Sequence, residues 1–266
     1  MNKAQMAGTE LRAMDELANG HSALHQMAAL PKLLLTVLYI VLVVSFHKYD
    51  LTGLFPMILF PLVGYQVAQI PVRTCFYKLR IVLPLVCAVG VFNPFFDKTV
   101  LLHMGSVVVT GGVISMLTLM MKGIFTLMVS FLLVATTGME GICGALRKLH
   151  MPKLLTSLLL LTYRYISVLL EEVSVMTTAY QLRAPGQKGI HISSWGSFLG
   201  QLILRSMDRA EALYGSMVVR GFHGEFHYAD KEQAAKKCWL WAFLIAILML
   251  LFRAVNVSAW LGSFMV

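Results

Sequence analysis

Four apolar runs, approximately Leu33–Phe46 with its flanks, Leu51–Ile70, Ile81–Phe96 and Cys238–Phe252, are long enough to cross a lipid bilayer. A crossing takes roughly 20 mainly apolar residues, because the hydrocarbon is about 30 Å thick and a helix rises about 1.5 Å per residue. No water reaches that layer to satisfy a free backbone N–H or C=O, so runs of this kind must be helical. Composition agrees, since 58% of the 266 residues are hydrophobic and 13% are charged, whereas a soluble domain carries about 25% charged residues. A secreted disulfide scaffold, a disordered chain and an ordinary cytosolic enzyme are thereby excluded. The class is an all-α polytopic membrane protein.

A fifth apolar stretch, Gly105–Thr137, is too long for one simple span and carries Lys122-Gly123 near its middle. Its number of passes follows from orientation. Pro71–Arg80 holds Arg73, Lys78 and Arg80 and no acid, whereas His47–Asp50 and Asp97–His103 hold one Lys each. The positive-inside rule places Pro71–Arg80 in the cytoplasm, with the N-terminus on the same side. Three spans then leave the chain outside near Asp97, and one further pass returns it inside near Gly138. That pass is expected to be single, with a bent or re-entrant piece around Gly111-Gly112. This gives about five transmembrane helices and puts 18 of the 22 Lys and Arg inside, with Lys48, Lys98 and Arg253 outside. Lys122 must face protein, water or an interface, since a cation at mid-membrane costs about 2.5–3.5 kcal/mol on insertion scales. The net charge of +9 is thus a membrane topology signal, and nucleic acid is not an expected partner.

The expected organisation is residues 1–137 as the N-terminal segment and helices one to four, 138–237 as a large helical cytoplasmic region, and 238–266 as the last span and tail. The first apolar run starts only after Glu10, Arg12, Asp15 and Glu16, which suits a retained helix better than a signal peptide. Residues 138–237 are longer than a connector requires. They read as Met139–Leu149, stopping before Pro152, then Lys153–Gln181 and Gly200–Val219. Leu154–Leu170 imitates a span. Its Tyr163, Arg164, Tyr165 and the following Glu171-Glu172 suit the cytoplasmic interface, and a true crossing is the alternative.

The two later helices end alike. One runs into Gln181-Leu182-Arg183-Ala184-Pro185-Gly186, the other into Met217-Val218-Val219-Arg220-Gly221-Phe222. Each sets an arginine at the helix C-terminus ahead of a Gly or Pro that stops it. A single such arginine is a C-cap cation favoured by the helix dipole, worth about 0.3–1 kcal/mol. The repetition points to more than capping.

These endings, with Thr136-Thr137, Ala145-Leu146-Arg147-Lys148-Leu149, Met151-Pro152, Tyr163-Arg164-Tyr165 and Arg209-Ala210-Glu211, resemble the T components of energy-coupling-factor importers. Ser22-Ala23-Leu24-His25 ahead of Pro31-Lys32-Leu33-Leu34, together with Arg220-Gly221-Phe222, makes the likeness strongest to the CbiQ type, which serves cobalt and nickel importers. The first ending departs from the family's Ala-Arg-Gly form, with Leu182 before and Ala184-Pro185 after its arginine. The resemblance implies a non-enzymatic scaffold in the cytoplasmic (inner) membrane of a bacterium. It implies that two coupling helices dock into a pair of ATPase subunits, with Leu182, Arg183, Ala184, Val219, Arg220 and Gly221 as the candidate partner-binding residues, and that the membrane helices hold a separate metal-specific substrate-binding subunit. ATP and Mg would be bound by the ATPases, with no cofactor in this chain.

Other chemistry is sparse. No G-x-x-x-x-G-K-[ST] occurs, and the glycines of Gly138–Gly144 do not have G-x-G-x-x-G spacing. Cys75, Cys87, Cys143 and Cys238 form no CxxC pair. His21/His25 and His223/His227 stand at i, i+4, a spacing that on a helix shares one face, and interfacial or capping roles compete there with metal ligation. Gly196-x-x-x-Gly200 reads either as a close-packing face or as loop glycines. A self-contained secondary carrier is the rival function, but it calls for repeated halves and broken helices with polar groups at mid-membrane, and no repeat is visible.

Overall fold

The computed structural model describes residues 3–80, 82–96, 100–104, 107–186, 189–224 and 235–254. In chain order the helices are α1 (Lys3–Ala18), α2 (Ala23–Gln26), α3 (Ala29–Val44), α4 (Leu51–Leu54), α5 (Leu59–Ala68), α6 (Val72–Leu79), α7 (Leu83–Phe96), α8 (Gly111–Lys148), α9 (Lys153–Arg183), α10 (Trp195–Val219) and α11 (Ala235–Ala254). A 3₁₀ turn, Phe55–Ile58, joins α4 to α5. One short antiparallel hairpin, β1 (Val100–Met104) and β2 (Val107–Thr110), precedes α8. The chain is an all-α polytopic membrane protein with that single addition. It divides into two compact units, one of residues 18–137 and 230–266, the other of residues 1–17 and 138–229.

In the first unit, α3, the α4–α5 stretch, α7, the first part of α8 and α11 occupy the five apolar runs. Two local features differ from the reading of the sequence. Pro71–Arg80 is a short helix rather than a loop, with Pro71 as its N-cap after Gln69 ends α5 in the left-handed region. The long fifth run opens as a strand. Val107-Val108-Val109-Thr110 is a β-branched tetrad that favours extended backbone, and β2 pairs Val107 with Met104 and Val108 with His103. The helix starts only at Gly111, so the bent piece expected around Gly111-Gly112 is a hairpin turning into a helix. Asp97 and Lys98 lie outside the described residues.

The core of this unit gathers Tyr39, Leu42, Val43 and Phe46 of α3 and its end, Leu54, Met57, Phe125 and Val129 of α8, and Met249 of α11. Apolar surroundings oblige each buried hydroxyl to find an acceptor. Tyr39 donates to the Met57 carbonyl at 2.9 Å and Tyr65 to the Met128 carbonyl at 2.9 Å. The tyrosine ring of Tyr39 also stacks on Phe60, centroids 4.9 Å apart. Helices approach closely where a side chain is missing: a Cβ at Gly123 would overlap Val86 of α7, and one at Gly64 would come within 2.5 Å of Leu132 Cδ2. The outward faces stay apolar, with Phe243 and Leu240 of α11 about two-thirds exposed, as contact with lipid requires.

Lys122, the one cation the sequence leaves at mid-span, has a defined task. Its Nζ donates to the carbonyls of Val44 at 3.2 Å and Phe46 at 2.5 Å, at the C-terminus of α3. Arg253 of α11 donates to the Ser45 carbonyl at 3.3 Å and lies over the Phe46 ring, 4.3 Å from its centroid. Two cations thus share the carbonyls that a helix end leaves without intrahelical partners. At the other end of the same pair of helices, Lys32 in the first turn of α3 donates to the Thr136 carbonyl of α8 at 2.9 Å. Residues 32 and 136 meet at one end and 44–46 and 122 at the other, so α3 and α8 run antiparallel.

Replacing Lys122 by Met leaves the Val44 and Phe46 carbonyls without this donor in an apolar layer, a loss of about 1–3 kcal/mol. The detergent-solubilised variant is expected to melt below the wild type by about 2–4 °C for each kcal/mol lost. The exposed substitution Arg12→Gln serves as the control expected to leave the transition unchanged.

Candidate functional site

The second unit holds α9, α10, the last turns of α8 and the N-terminal helix. Its helices begin and stop where the sequence gives a reason. The last part of α8 ends with His150 in the left-handed region (φ 66°), the Met151 N–H donating to the Leu146 carbonyl at 3.2 Å and the His150 N–H to the Arg147 carbonyl at 3.1 Å. Pro152 then caps α9, which runs without a break for 31 residues to Arg183. Both α8 and α9 are long and apolar enough to cross a membrane, which fits the crossing alternative for Leu154–Leu170 as well as the interfacial reading. The Tyr163 hydroxyl donates to Asp15 Oδ1 of α1 at 2.7 Å. Before α10, the imidazole of His191 accepts the Ser193 N–H and contacts its Oγ at 2.9 Å, closing a 3₁₀ turn that feeds the helix.

The two helices meet at a charged crossing. Glu172 of α9 accepts from Arg205 of α10, and Arg209 Nη2 stands 4.0 Å from the second carboxylate oxygen. Arg205 and Arg209 are one helical turn apart, so both reach the same acid. Val168, Leu169, Leu202 and Ser206 line the shallow groove around them. Glu172, which in the sequence stands among interfacial residues, is thus used between helices. Both arginines are about half exposed, and each pair contributes on the order of 0.2–1 kcal/mol in such a setting, so the crossing is oriented more than it is clamped.

The six candidate residues sit on the surface at the two helix ends. Leu182 and Val219 are 78% and 88% exposed, among the most exposed apolar side chains described, and each directly precedes its arginine. Arg183 is the last residue of α9 and Arg220 the C-cap of α10. The backbones behind them differ. After Arg220, Gly221 takes φ 81°, its N–H donates to the Val218 carbonyl at 2.9 Å, and the Phe222 N–H reaches back to the Met217 carbonyl at 3.0 Å. That is a Schellman closure, which needs the left-handed residue that glycine supplies. At the first end Ala184 is the C-cap, at φ −126° and ψ 64°, with one bond from its N–H to the Tyr180 carbonyl at 3.0 Å, and Gly186 adopts φ 97° only after Pro185. The Ala-Pro in place of Gly accounts for the difference, because alanine is unfavourable in the left-handed region. The two ends therefore present the same chemistry, an exposed apolar side chain followed by a guanidinium, on two different caps.

Along α10 the residues turned toward α9, Leu202 and Ser206 among them, are half-buried, whereas Trp195, Leu199, Ile203, Met207, Tyr214 and Val218 form an exposed apolar stripe beside them. Spacing at three and four residues carries that stripe, but its helix-like pattern alone does not separate a covered face from an open one. Gly196 and Gly200 both lie on this helix and not in a loop, with no described residue within 4 Å of where a Cβ would be.

The His21/His25 pair does not form a helical face. His21 precedes α2, while His25 is buried and its Nδ1 lies 2.6 Å from the Ser22 hydroxyl, against Gly20. His223 follows the end of α10, and His227 lies outside the described residues. Among the described residues no group of three His, Cys, Asp or Glu is placed to hold a metal ion.

Comparison with known proteins follows the same lines. An uncharacterised protein of Methanocaldococcus jannaschii is 27% identical over 167 residues, covering 60% of this chain and 57% of that protein. The cobalt transport protein CbiQ of Rhodobacter capsulatus is 31% identical over 104 residues, 39% of this chain and 43% of its own length. The nickel permease LarQ of Lactiplantibacillus plantarum is 30% identical over 91 residues, 34% and 33% respectively. The chain thus spans between a third and just under six-tenths of these relatives. The family profile described as cobalt transport protein, CbiQ, matches residues 20–228, from the turn before α2 to beyond the Arg220-Gly221 closure. The chain belongs to the CbiQ family of cobalt transport proteins.

Proposed function

We propose that the chain is the membrane-embedded, energy-transducing scaffold of an ATP-driven importer of the energy-coupling-factor type, carrying cobalt or nickel ions. Two ATPase subunits, which bind ATP and Mg, dock on the ends of α9 and α10. A separate metal-specific subunit in the membrane binds the cargo. The chain itself is a transducer and not an enzyme. It lies in the cytoplasmic membrane of a bacterium, with its N-terminus and residues 138–237 on the cytoplasmic side.

The observation that carries this reading is the pair of helix ends, each showing an exposed apolar residue, Leu182 or Val219, beside an arginine. A guanidinium offers five donors in a rigid fork, suited to a carboxylate or to helix-end carbonyls on a partner, and a neighbouring aliphatic side chain excludes water from the contact. The basic residues nearest the membrane, Arg73, Arg147, Lys148 and Lys153, fall on the side this orientation makes cytoplasmic. The antiparallel run of α3 and α8 agrees with a single return pass. Cobalt and nickel come from the names of the relatives. Transduction requires that the ATPases make different contacts with the two helix ends in their two nucleotide states, since equal binding to both states shifts nothing.

Charge reversal at both ends, Arg183→Glu with Arg220→Glu, is expected to abolish co-purification of the ATPases with the full chain. Truncating either arginine alone is expected to weaken capture about 30- to 1,000-fold, the range of an interface anchor worth about 2–4 kcal/mol. Undiminished capture by the double variant contradicts the assignment. The unlike caps give a second expectation. Gly221→Ala strains the closure that aims Arg220 and is expected to weaken capture several-fold, whereas Ala184→Gly, which meets no such requirement, leaves it unchanged; titrating labelled ATPase onto each variant reads both.

A further inference from the structure

The carbonyls at the end of α3 do not exhaust the cations that reach them. An ammonium carries three N–H donors and a guanidinium five. Lys122 commits two to Val44 and Phe46, and Arg253 one to Ser45, which leaves donors on both without a partner among the described residues. The two side chains are half-buried, and their like charges act on each other. Asp50 acts on Lys122 from a distance, yet among the described residues no carboxylate stands within ion-pair reach of either cation. Lys48, two residues beyond Phe46, adds a third cation, its Nζ 4.6 Å from the Tyr49 ring centre. This end of the membrane unit therefore holds an excess of positive charge with donors still open. Two features say what neutralises it. Helix α3 has 16 residues and rises about 24 Å, less than the roughly 30 Å of hydrocarbon, and a short span draws the headgroup layer toward its ends. Phosphate is the anion of that layer. The cluster also adjoins surface that suits acyl chains. Helix α11 packs along α3, and exposed apolar rows lead away from the cations on both helices: Val37, Val41 and Val44 on α3, and Phe243, Ile247 and Leu250 on α11, the last one turn before Arg253. A soluble anion matches the donors but makes no use of these rows.

We propose that Lys122 and Arg253 form a binding site for the phosphate of an anionic phospholipid, whose acyl chains lie along the exposed rows of α3 and α11. The ammonium and the planar fork of the guanidinium donate to the phosphate oxygens while each keeps its bonds to the carbonyls of α3. A choline headgroup fits worse, because it carries a further cation toward those already there. The site does not depend on the function proposed above.

Thermal melting of the full chain, delipidated in a neutral detergent, tests the site with phosphatidylglycerol, phosphatidylcholine and inorganic phosphate as additives. Phosphatidylglycerol is expected to raise the transition of the wild type saturably, since a ligand held by the folded state stabilises it by mass action, and the other two to leave it near its starting value. Arg253→Gln removes the fork but leaves Lys122 on its carbonyls, and is expected to need about tenfold or more phosphatidylglycerol for the same shift. Leu250→Glu, at an exposed position one turn before Arg253, places a competing carboxylate beside the guanidinium and is expected to blunt the response likewise. It carries the test should Arg253→Gln fail to fold. If Arg253 serves only the Ser45 carbonyl, Arg253→Gln lowers the transition equally with and without lipid, and the site is overturned. A phosphatidylglycerol response that Leu250→Glu leaves unchanged overturns it as well. Equal stabilisation by phosphatidylcholine overturns the preference for an anionic headgroup, and equal stabilisation by inorganic phosphate overturns the lipid as occupant.

Discussion

A helix end in an apolar layer leaves carbonyls that neither water nor the helix itself can satisfy, and the membrane unit is organised around this constraint. Three of its cations, Lys32, Lys122 and Arg253, donate to backbone carbonyls of this kind. Lys122 and Arg253 converge on Val44, Ser45 and Phe46, and Lys32 reaches the Thr136 carbonyl, just before the break in α8 at Gly138. The lysines are exchanged reciprocally, one from α3 to α8 and one from α8 to α3, so the same two contacts that satisfy the backbone also fix the antiparallel register of the pair. A charge that is expensive in lipid becomes inexpensive beside a carbonyl array carrying partial negative charge. The aromatic residues follow the same rule on a smaller scale, with the hydroxyls of Tyr39 and Tyr65 each directed to a carbonyl of a neighbouring segment.

The second unit obeys a different constraint. Its helices are joined by a crossing built on one acid and two arginines, all partly exposed, and α10 has no fully buried residue. A helix pair with so little interior has little to hold one angle, which suits a part whose position is set by what docks on it. The ends of the pair carry the features that distinguish it from ordinary surface helices. An apolar side chain more than three-quarters exposed beside a guanidinium is an unfavourable surface unless it is covered, and it occurs twice.

Much of this was legible in the residues. Apolar runs located the helices of the first unit, and Pro152, Pro185 and Gly221 marked where α8, α9 and α10 stop, because proline and glycine act on the backbone locally. The Leu-Arg-Ala-Pro and Val-Arg-Gly endings differ in sequence and correspondingly differ in cap. What was not legible depends on partners distant in the chain. Lys122 stood out as a problem, but its solution lies 76 and 78 residues away at Phe46 and Val44. The partners of Glu172, Arg205 and Arg209, stand 33 and 37 residues further along the chain, and a helix crossing cannot be counted from spacing. The hairpin before Gly111 was hidden by hydrophobicity, because four β-branched residues are as apolar as a spanning helix and only their branching tells them apart.

The central claim is that the ends of α9 and α10 face the cytoplasm and are covered by ATPase subunits. A direct measurement is chemical labelling of a single cysteine placed at position 182 or 219, in a chain whose four native cysteines have been replaced, using a membrane-impermeant thiol reagent. The account requires that both positions react in inside-out vesicles stripped of ATPase, that neither reacts in right-side-out vesicles, and that adding back the ATPases protects both. Labelling of either position from the outer face, or labelling that the ATPases leave unchanged, contradicts it.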